Sequence, residues 1–165
     1  LIHFGGHQAA AGLAMEINKV HEFRKRFNEI VKESVTEENL FPELTIDSKL
    51  KFSDITPKFL RILDQFAPFG PGNLRPVFLA EHVQVSNTPR VVGNNHLLMC
   101  VKQKDSKKIF DCIGFNMGEH YEKIMRNNSD IDIVFSIDKT VRDGRAFPQF
   151  KLKDIKFKSI SEENK

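Results

Sequence analysis

From Val77 onward, this sequence is a series of short β-type runs separated by turn signals. Apolar residues alternate with polar ones within the runs, which is the period of a half-buried strand. One helical stretch interrupts the series at about Gly118 to Arg126. Several short strands with regularly spaced turns predict a small closed or nearly closed β-barrel. The predicted strands are 77–85, 89–92, 96–103, 108–116, 130–141 and 147–157.

The phase of the apolar residues in the last two runs predicts one irregularity in the barrel. In "DIDIVFSID", the residues that share one face are Ile131, Ile133, Phe135 and Ile137. The final run changes phase after Leu152, because Ile155 and Phe157 are one residue out of step. One extra residue would restore the alternation, so we expect a β-bulge near Lys153 or Asp154.

Three stretches carry turn chemistry. "GNN" at 93–95 and "RDGR" at 142–145 join predicted strands, and the second contains the Asp-Gly pair that type I′ hairpin turns favour. Prolines and glycines at 68–73 forbid regular structure and predict a rigid turn. This turn could present Arg75 to a ligand or simply join a helix to the barrel, and we favour the structural role.

The first half of the chain is predicted to be mainly helical. Residues 19–34 alternate apolar and charged side chains at the helical period, and residues 35–43 break it, which indicates a linker. A short strand-like run follows at 43–50. A second helix is expected to start with Thr56 as its N-cap and Pro57 in its first turn. Its predicted buried stripe is Phe59, Leu60, Leu63 and Phe66.

Composition limits the class of protein. The chain has 165 residues with a net charge of +3, and no stretch is long and apolar enough to span a bilayer, so we expect a cytoplasmic protein. Cys100 and Cys112 lack disulfide or metal spacing, and although they could face each other across a hairpin, reduced thiols are expected. Residues 86–158 contain fourteen Lys and Arg and nine Asp and Glu, a modest local excess of +5.

The stretch "FGGHQAAAG", from Phe4 to Gly12, is a candidate ligand site. Adjacent glycines allow close approach to backbone N–H groups, and His7 places an imidazole beside them. The alanines that follow favour a helix, so the stretch suits an anion-binding helix start. It is also compatible with a glycine turn that feeds a tightly packed helix, with His7 an ordinary histidine.

The same residues resemble a family signature. Gly5, Gly6, His7, Ala10, Ala11 and Gly12 match the Gly-Gly-His-x-x-Ala-Ala-Gly motif of the DHH-associated domain in the DHH phosphoesterase superfamily. The later motifs "LRILDQFAPFGPGNLRPVF", "VVGNNHLLM", "DCIGFNMG" and "FKLKDI" resemble, in order, the C-terminal part of the RecJ family of bacterial single-strand-specific exonucleases. The resemblance extends from Phe4 to about Phe157.

This resemblance implies an α+β fold: residues 1–36 would end a DHH-associated domain, residues 37–160 would form an OB-type barrel with added helices, and 161–165 would be a polar tail. It implies that the chain is a fragment of a metal-dependent 5′ to 3′ exonuclease of recombination and repair. Mn²⁺ or Mg²⁺ would bind a separate Asp-His-His domain, and we expect neither metal site nor hydrolysis in this chain. Gly5, Gly6 and His7 would contact substrate near the scissile end.

An OB-type barrel binds single strands through a basic groove and aromatic stacking faces. The residues expected to contact single-stranded DNA are Arg90, Lys102, Arg142, Arg145, Phe147 and Lys151. Each is also compatible with an ordinary surface or core role. Two other functions stay open: a non-catalytic module that docks a repair protein such as a single-strand-binding protein, and a DHH-type phosphoesterase for short oligonucleotides, although the latter lack an appended barrel.

Overall fold

The computed structural model describes residues 1–7, 10–35, 43–126 and 130–158. The chain divides into two compact units, 1–44 and 45–165. The predicted linker at 35–43 falls almost wholly outside the described residues, as does the predicted tail at 161–165.

The first unit contains a hairpin and a helix. Strands β1 (His3–His7) and β2 (Ala10–Ala14) pair antiparallel, and helix α1 (Val20–Ser34) follows a 3-10 turn at Ile17–Lys19. The helix is where the sequence predicts it. Its Phe23 and Phe27 rings stack with centroids 5.7 Å apart, yet α1 contains no fully buried residue.

The predicted helix start after His7 is wrong for the described residues. Ala10 and Ala11 lie in β2, opposite His7 and Gly6 of β1. Helix propensity is a weak local preference, and cross-strand hydrogen bonding overrides the preference of the alanines here. At Gly6, a Cβ would lie 2.6 Å from the Ala10 carbonyl oxygen, so this close pairing of strands requires glycine.

The second unit consists of a barrel with short additions at its edges. In chain order, its regular elements are β3 (Ser48–Lys49), α2 (Pro57–Gln65), β4 (Val77–Val85), β5 (Arg90–Val92), β6 (His96–Gln103), β7 (Ile109–Gly114), α3 (Tyr121–Arg126), β8 (Ile131–Arg142) and β9 (Arg145–Phe157). Two further 3-10 turns are at Phe52–Asp54 and Gly118–His120. The predicted strand at 43–50 is shorter than expected, since only Ser48–Lys49 pairs with β4.

Five strands close the barrel in the order β4, β8, β9, β7, β6, and β6 pairs again with β4. The β7–β9 pair is parallel, and the other neighbours within the barrel are antiparallel. Strand β5 extends β6 at one edge and β3 extends β4 at another. The expected α+β class and closed barrel are therefore confirmed.

Two predicted details of β8 and β9 are also present. Val134 pairs with Asp154 and Phe135 pairs with Leu152, so Lys153 is the extra residue of a bulge. At the turn between the strands, Asp143 has φ of 50° and Gly144 has φ of 74°. Positive φ at both central residues is the type I′ geometry that an Asp-Gly pair permits.

Phe52 lies at the centre of the barrel core and is wholly buried. Its ring contacts those of Phe110, Phe135 and Phe150 at centroid distances of 5.3, 6.3 and 5.2 Å. Phe135 and Phe150 stack on each other at 4.1 Å. This aromatic cluster joins strands β7, β8 and β9 to the segment that precedes α2.

Helix α2 begins as predicted, with the Thr56 hydroxyl accepting a hydrogen bond from the Phe59 N–H at 3.1 Å. Leu63 is buried, and Phe59 and Leu60 pack against the core. The predicted burial of Phe66 is wrong, because α2 ends at Gln65 and leaves the Phe66 side chain 55% exposed. Within the described residues, no helix is long and apolar enough to cross a membrane.

We expect Phe52→Ala to lower the free energy of unfolding by about 3–5 kcal/mol, since it removes a fully buried ring from the aromatic cluster. Phe66→Ala is the matched control and should change it by no more than about 0.5 kcal/mol. Urea unfolding followed by circular dichroism measures both. Equal unfolding midpoints for the two variants would contradict this assignment of the core.

Candidate nucleic-acid interface

The cationic residues that the sequence predicts to contact DNA lie on one surface of the barrel. Within β6 and β7, every second residue is buried, and the intervening side chains point outward. We call the outward-pointing side chains of β5, β6, β7 and β9 the outer face. Strand register aligns Arg90, Leu98, Ile113 and Lys151 in one row across it. A second row contains Cys100, Asp111 and Gln149, and a third contains Lys102 and Ile109.

The turn between β8 and β9 forms one end of this surface. Arg142 pairs with Arg145 across the turn, and Thr140 pairs with Phe147. A cleft of about 390 Å³ is lined by Asp111, Arg142, Asp143, Arg145 and Phe147. The Phe147 side chain is 43% exposed. All six barrel residues expected to contact DNA therefore lie on the outer face or at its turn.

Asp111 partly neutralises the cationic cleft. Its Oδ2 lies 2.9 Å from Nη2 of Arg142, and its Oδ1 accepts a hydrogen bond from the Cys100 thiol at 3.2 Å. Burial raises the pKa of Cys100, and the hydrogen bond to Asp111 and its negative charge raise it further. The charges of Arg142 and Arg90 act in the opposite direction. Cys100, Asp111 and Arg90 on the outer face therefore interact electrostatically with one another and with Arg142 at its turn.

Asp138 neutralises a second pair of cations. It forms ion pairs with Lys151 and, at 3.5 Å, with Arg75. Burial alone would raise the pKa of Asp138, but the hydrogen bonds from Lys151 and the Lys139 backbone and the charge of Arg75 outweigh it and lower the pKa. Asp138 is therefore ionised at neutral pH and offsets part of the positive charge.

Arg75 is held in place from three sides. It donates to the Ile137 carbonyl at 3.1 Å, and its guanidinium lies 4.3 Å from the ring centroid of Phe69, in addition to the Asp138 ion pair. A cleft of about 210 Å³ lies beside it, also bounded by Phe147. These contacts join the Pro-Gly turn to β8.

The remaining cations differ in their availability. Among the described residues, Arg90, Lys102 and Arg145 form no ion pair with a carboxylate. Lys108, by contrast, donates to the carbonyls of Ser53 and Ile55 at 2.8 and 2.9 Å and so fixes the 3-10 turn beside Phe52.

Sequence reasoning missed an aromatic pair at the far end of the outer face. Phe115 follows β7 directly, is 52% exposed, and meets His96 edge-on with ring centroids 5.1 Å apart. The sequence contains a signal for the exposure of Phe115, because this residue is out of phase with the inward-facing Phe110 and Cys112. The two cysteines also differ in orientation: Cys112 is buried, whereas Cys100 points outward beside Asp111, and both are free thiols.

The Gly-Gly-His stretch lies in the other unit. Gly5, Gly6 and His7 form the end of β1 and are exposed. Within the described part of the chain, no group of three or more His, Cys, Asp or Glu side chains could hold a metal ion. The Mn²⁺ or Mg²⁺ implied by the sequence resemblance therefore has no ligand set among these residues.

A five-stranded closed barrel with a helix between its third and fourth strands is an OB fold, a class that binds oligonucleotides or oligosaccharides on strands 2 and 3 and the adjoining loops. Residues 46–154 match the family described as RecJ OB domain. The chain belongs to this family.

Curated relatives with similar sequences agree with this family assignment. The chain is 34% identical over 155 residues to the single-stranded-DNA-specific exonuclease RecJ of Bacillus subtilis, covering 93% of this chain and 19% of the relative. It is 32% identical over 117 residues to the protein of the same name from Escherichia coli, covering 71% and 20%. The chain thus spans about a fifth of the length of these relatives.

Solved structures support the fold. RecJ from Thermus thermophilus in complex with Mg²⁺ aligns with a TM-score of 0.66 at 20% identity, covering 96% of this chain and 23% of that chain. The complex of the same protein with Mn²⁺ aligns with a TM-score of 0.67.

We expect Asp111→Asn to speed alkylation of Cys100 below the pKa of the thiol, because removing the Asp111 charge lowers that pKa and raises the thiolate fraction. Arg142→Ala should slow alkylation for the opposite reason. The measurement is the pH–rate profile for iodoacetamide, with Cys112 buried in the native state.

Glu122→Gln on α3 is the charge-matched control and should leave the alkylation profile unchanged. Cys100→Ser identifies the reacting thiol. Superimposable profiles for the wild type, Asp111→Asn and Arg142→Ala would contradict the coupling of these three side chains.

Proposed function

We propose that this chain is the substrate-binding region of a longer metal-dependent exonuclease that degrades single-stranded DNA from 5′ to 3′ in recombination and repair. The outer face of the barrel would hold the strand. Gly5, Gly6 and His7 would contact it near the scissile end. In this proposal, residues 1–36 end a DHH-associated domain, residues 37–160 form the binding barrel, and hydrolysis takes place at metal ions held by another domain.

One observation carries the proposal: the cations lie at the binding positions of an OB fold. Arg90 lies in the connection between the first two barrel strands, Lys102 lies on the second, and Arg142 and Arg145 flank the turn between the last two. OB folds bind oligonucleotides with these same regions. Phe147 adds an exposed ring beside the cationic cleft, which suits base stacking.

The ion pairs on this surface limit the expected affinity. Arg142 and Lys151 already interact with Asp111 and Asp138, so a phosphate must compete with a carboxylate for each. Arg90, Lys102 and Arg145 make no such pair in the described structure. Three or four effective phosphate contacts would give a slope of about −2 to −3 in log affinity against log salt for a single strand.

We expect the chain to bind oligothymidine weakly, with this salt slope and with little preference for sequence. The double variant Arg142→Ala with Arg145→Ala should flatten the slope by about 1 to 1.5. Phe147→Ala should lower affinity by about 1–3 kcal/mol at constant slope, because stacking is not ionic. Fluorescence anisotropy at several salt concentrations measures both effects.

The double variant Arg61→Ala with Arg126→Ala is the control, since it removes the same charge from α2 and α3. It should leave the slope nearly unchanged. If the wild type fails to bind at low salt, or prefers duplex, the outer face is not a strand-binding surface. Salt-insensitive binding of a single-strand-binding protein would then favour the interaction module.

We expect the isolated chain to release no nucleotides from a labelled strand with Mn²⁺ or Mg²⁺, because the described residues offer no metal-binding cluster. The assay is product release resolved on a sequencing gel, with chelator as control. Metal-dependent release that persists through further purification, and is abolished by a substitution in this chain, would overturn the proposed division of labour.

A further inference from the structure

The aromatic pair of His96 and Phe115 has features of a built contact site. The Asn116 backbone N–H donates to Nδ1 of His96 at 3.2 Å, which fixes the imidazole. Asn116 itself has φ of 56°, so the chain reverses immediately after Phe115 and leaves the ring at the surface. Phe115 is therefore oriented by its neighbours while remaining half exposed.

This pair lies on the same surface as the cations. His96 precedes Leu98 on β6 by one outward position, and Leu98 aligns with Arg90. The row containing Arg90 and Lys151 is thus the next one along the outer face. An exposed ring beside cations suits a nucleic acid, because the ring offers a stacking surface and the cations attract the backbone.

The distance between Phe115 and Phe147 fits one continuous strand of DNA. Asp111 is level with Gln149 in the parallel β7–β9 pair, so the same register places Phe147 level with Ile109. Phe115 lies six residues further along, which is about 20 Å at the rise of a strand. A single strand that keeps the roughly 3.4 Å spacing of one duplex strand would span this distance with about six nucleotides, within the site size of roughly 4–16 for an OB fold.

We propose that His96 and Phe115 form a second base-stacking platform, which binds the nucleotides at the opposite end of the outer face from Phe147. This inference rests on the proposed function. The DNA strand would run along β7, from Phe147 past the row of Arg90 and Lys151 to the ring of Phe115.

The chain contains no Trp, so a single Trp introduced by substitution gives a fluorescence signal from one chosen position. We expect the fluorescence of Phe115→Trp to be quenched by an oligothymidine of about 15 nucleotides. The quenching should follow the anisotropy binding curve. Phe66→Trp, on an equally exposed Phe at the end of α2, should not be quenched.

Affinity provides the second readout. Phe115→Ala should weaken binding of the same oligonucleotide by about 5- to 150-fold at constant salt slope, the equivalent of one base–aromatic stack. Phe115→Tyr should restore binding and Phe115→Leu should not. The melting temperatures of these variants should match the wild type, because Phe115 lies outside the core.

The outcomes separate the two proposals. If the wild type binds and Phe115→Ala or Phe115→Leu binds equally well, the platform is overturned while strand binding by the barrel stands. Absence of quenching in Phe115→Trp at saturating oligonucleotide overturns it in the same way. No binding by the wild type overturns both proposals.

Discussion

Closure of the barrel depends on a kink in β4. Strand β4 pairs with β8 from Val77 to Val83, with a bulge between Ala80 and Val83, and it pairs with β6 from Val83 to Val85. His82 adopts φ of 55° at the bulge, and its N–H donates to Asp132 Oδ1 at 3.1 Å. A side chain thereby replaces the ladder bond that the bulge removes. The imidazole Nδ1 of His82 lies 2.9 Å from Oδ2 of Asp130, so Asp132 in β8 and Asp130 just before it hold the kink on two sides.

The outer face is a consequence of that closure. Once the sheet meets itself, the inward side chains of β6 and β7 fill a single core, and the alternate positions must all face outward. The parallel β7–β9 pair then sets which of them are level with each other, because it aligns Asp111 with Gln149 and Ile113 with Lys151. Residues far apart in sequence become neighbours through register alone.

Features with a local cause were predictable from the sequence. The phase change after Leu152 predicts the bulge at Lys153, and the Asp-Gly pair predicts the turn after Arg142. Features set by distant partners were not. Nothing near Ala10 indicates that β1 will pair with it, and the carboxylates that neutralise Arg142 and Lys151 come from other strands. Charge counting alone therefore overstates the positive potential of this surface.

The balance of forces on the outer face follows from these ion pairs. If single-stranded DNA binds as we propose, each phosphate that contacts Arg142 or Lys151 replaces an existing ion pair with a carboxylate. The net gain in binding energy is then only part of what the same phosphate would gain from an unpaired cation. Phe147 and Phe115 have no such competitor, since a base that covers either ring displaces only water from exposed apolar surface. Stacking then contributes a larger share of the affinity than the net charge of the region suggests. In this proposal, the contacts of bases with Phe147 and Phe115, at the two ends of β7, determine where the DNA strand lies.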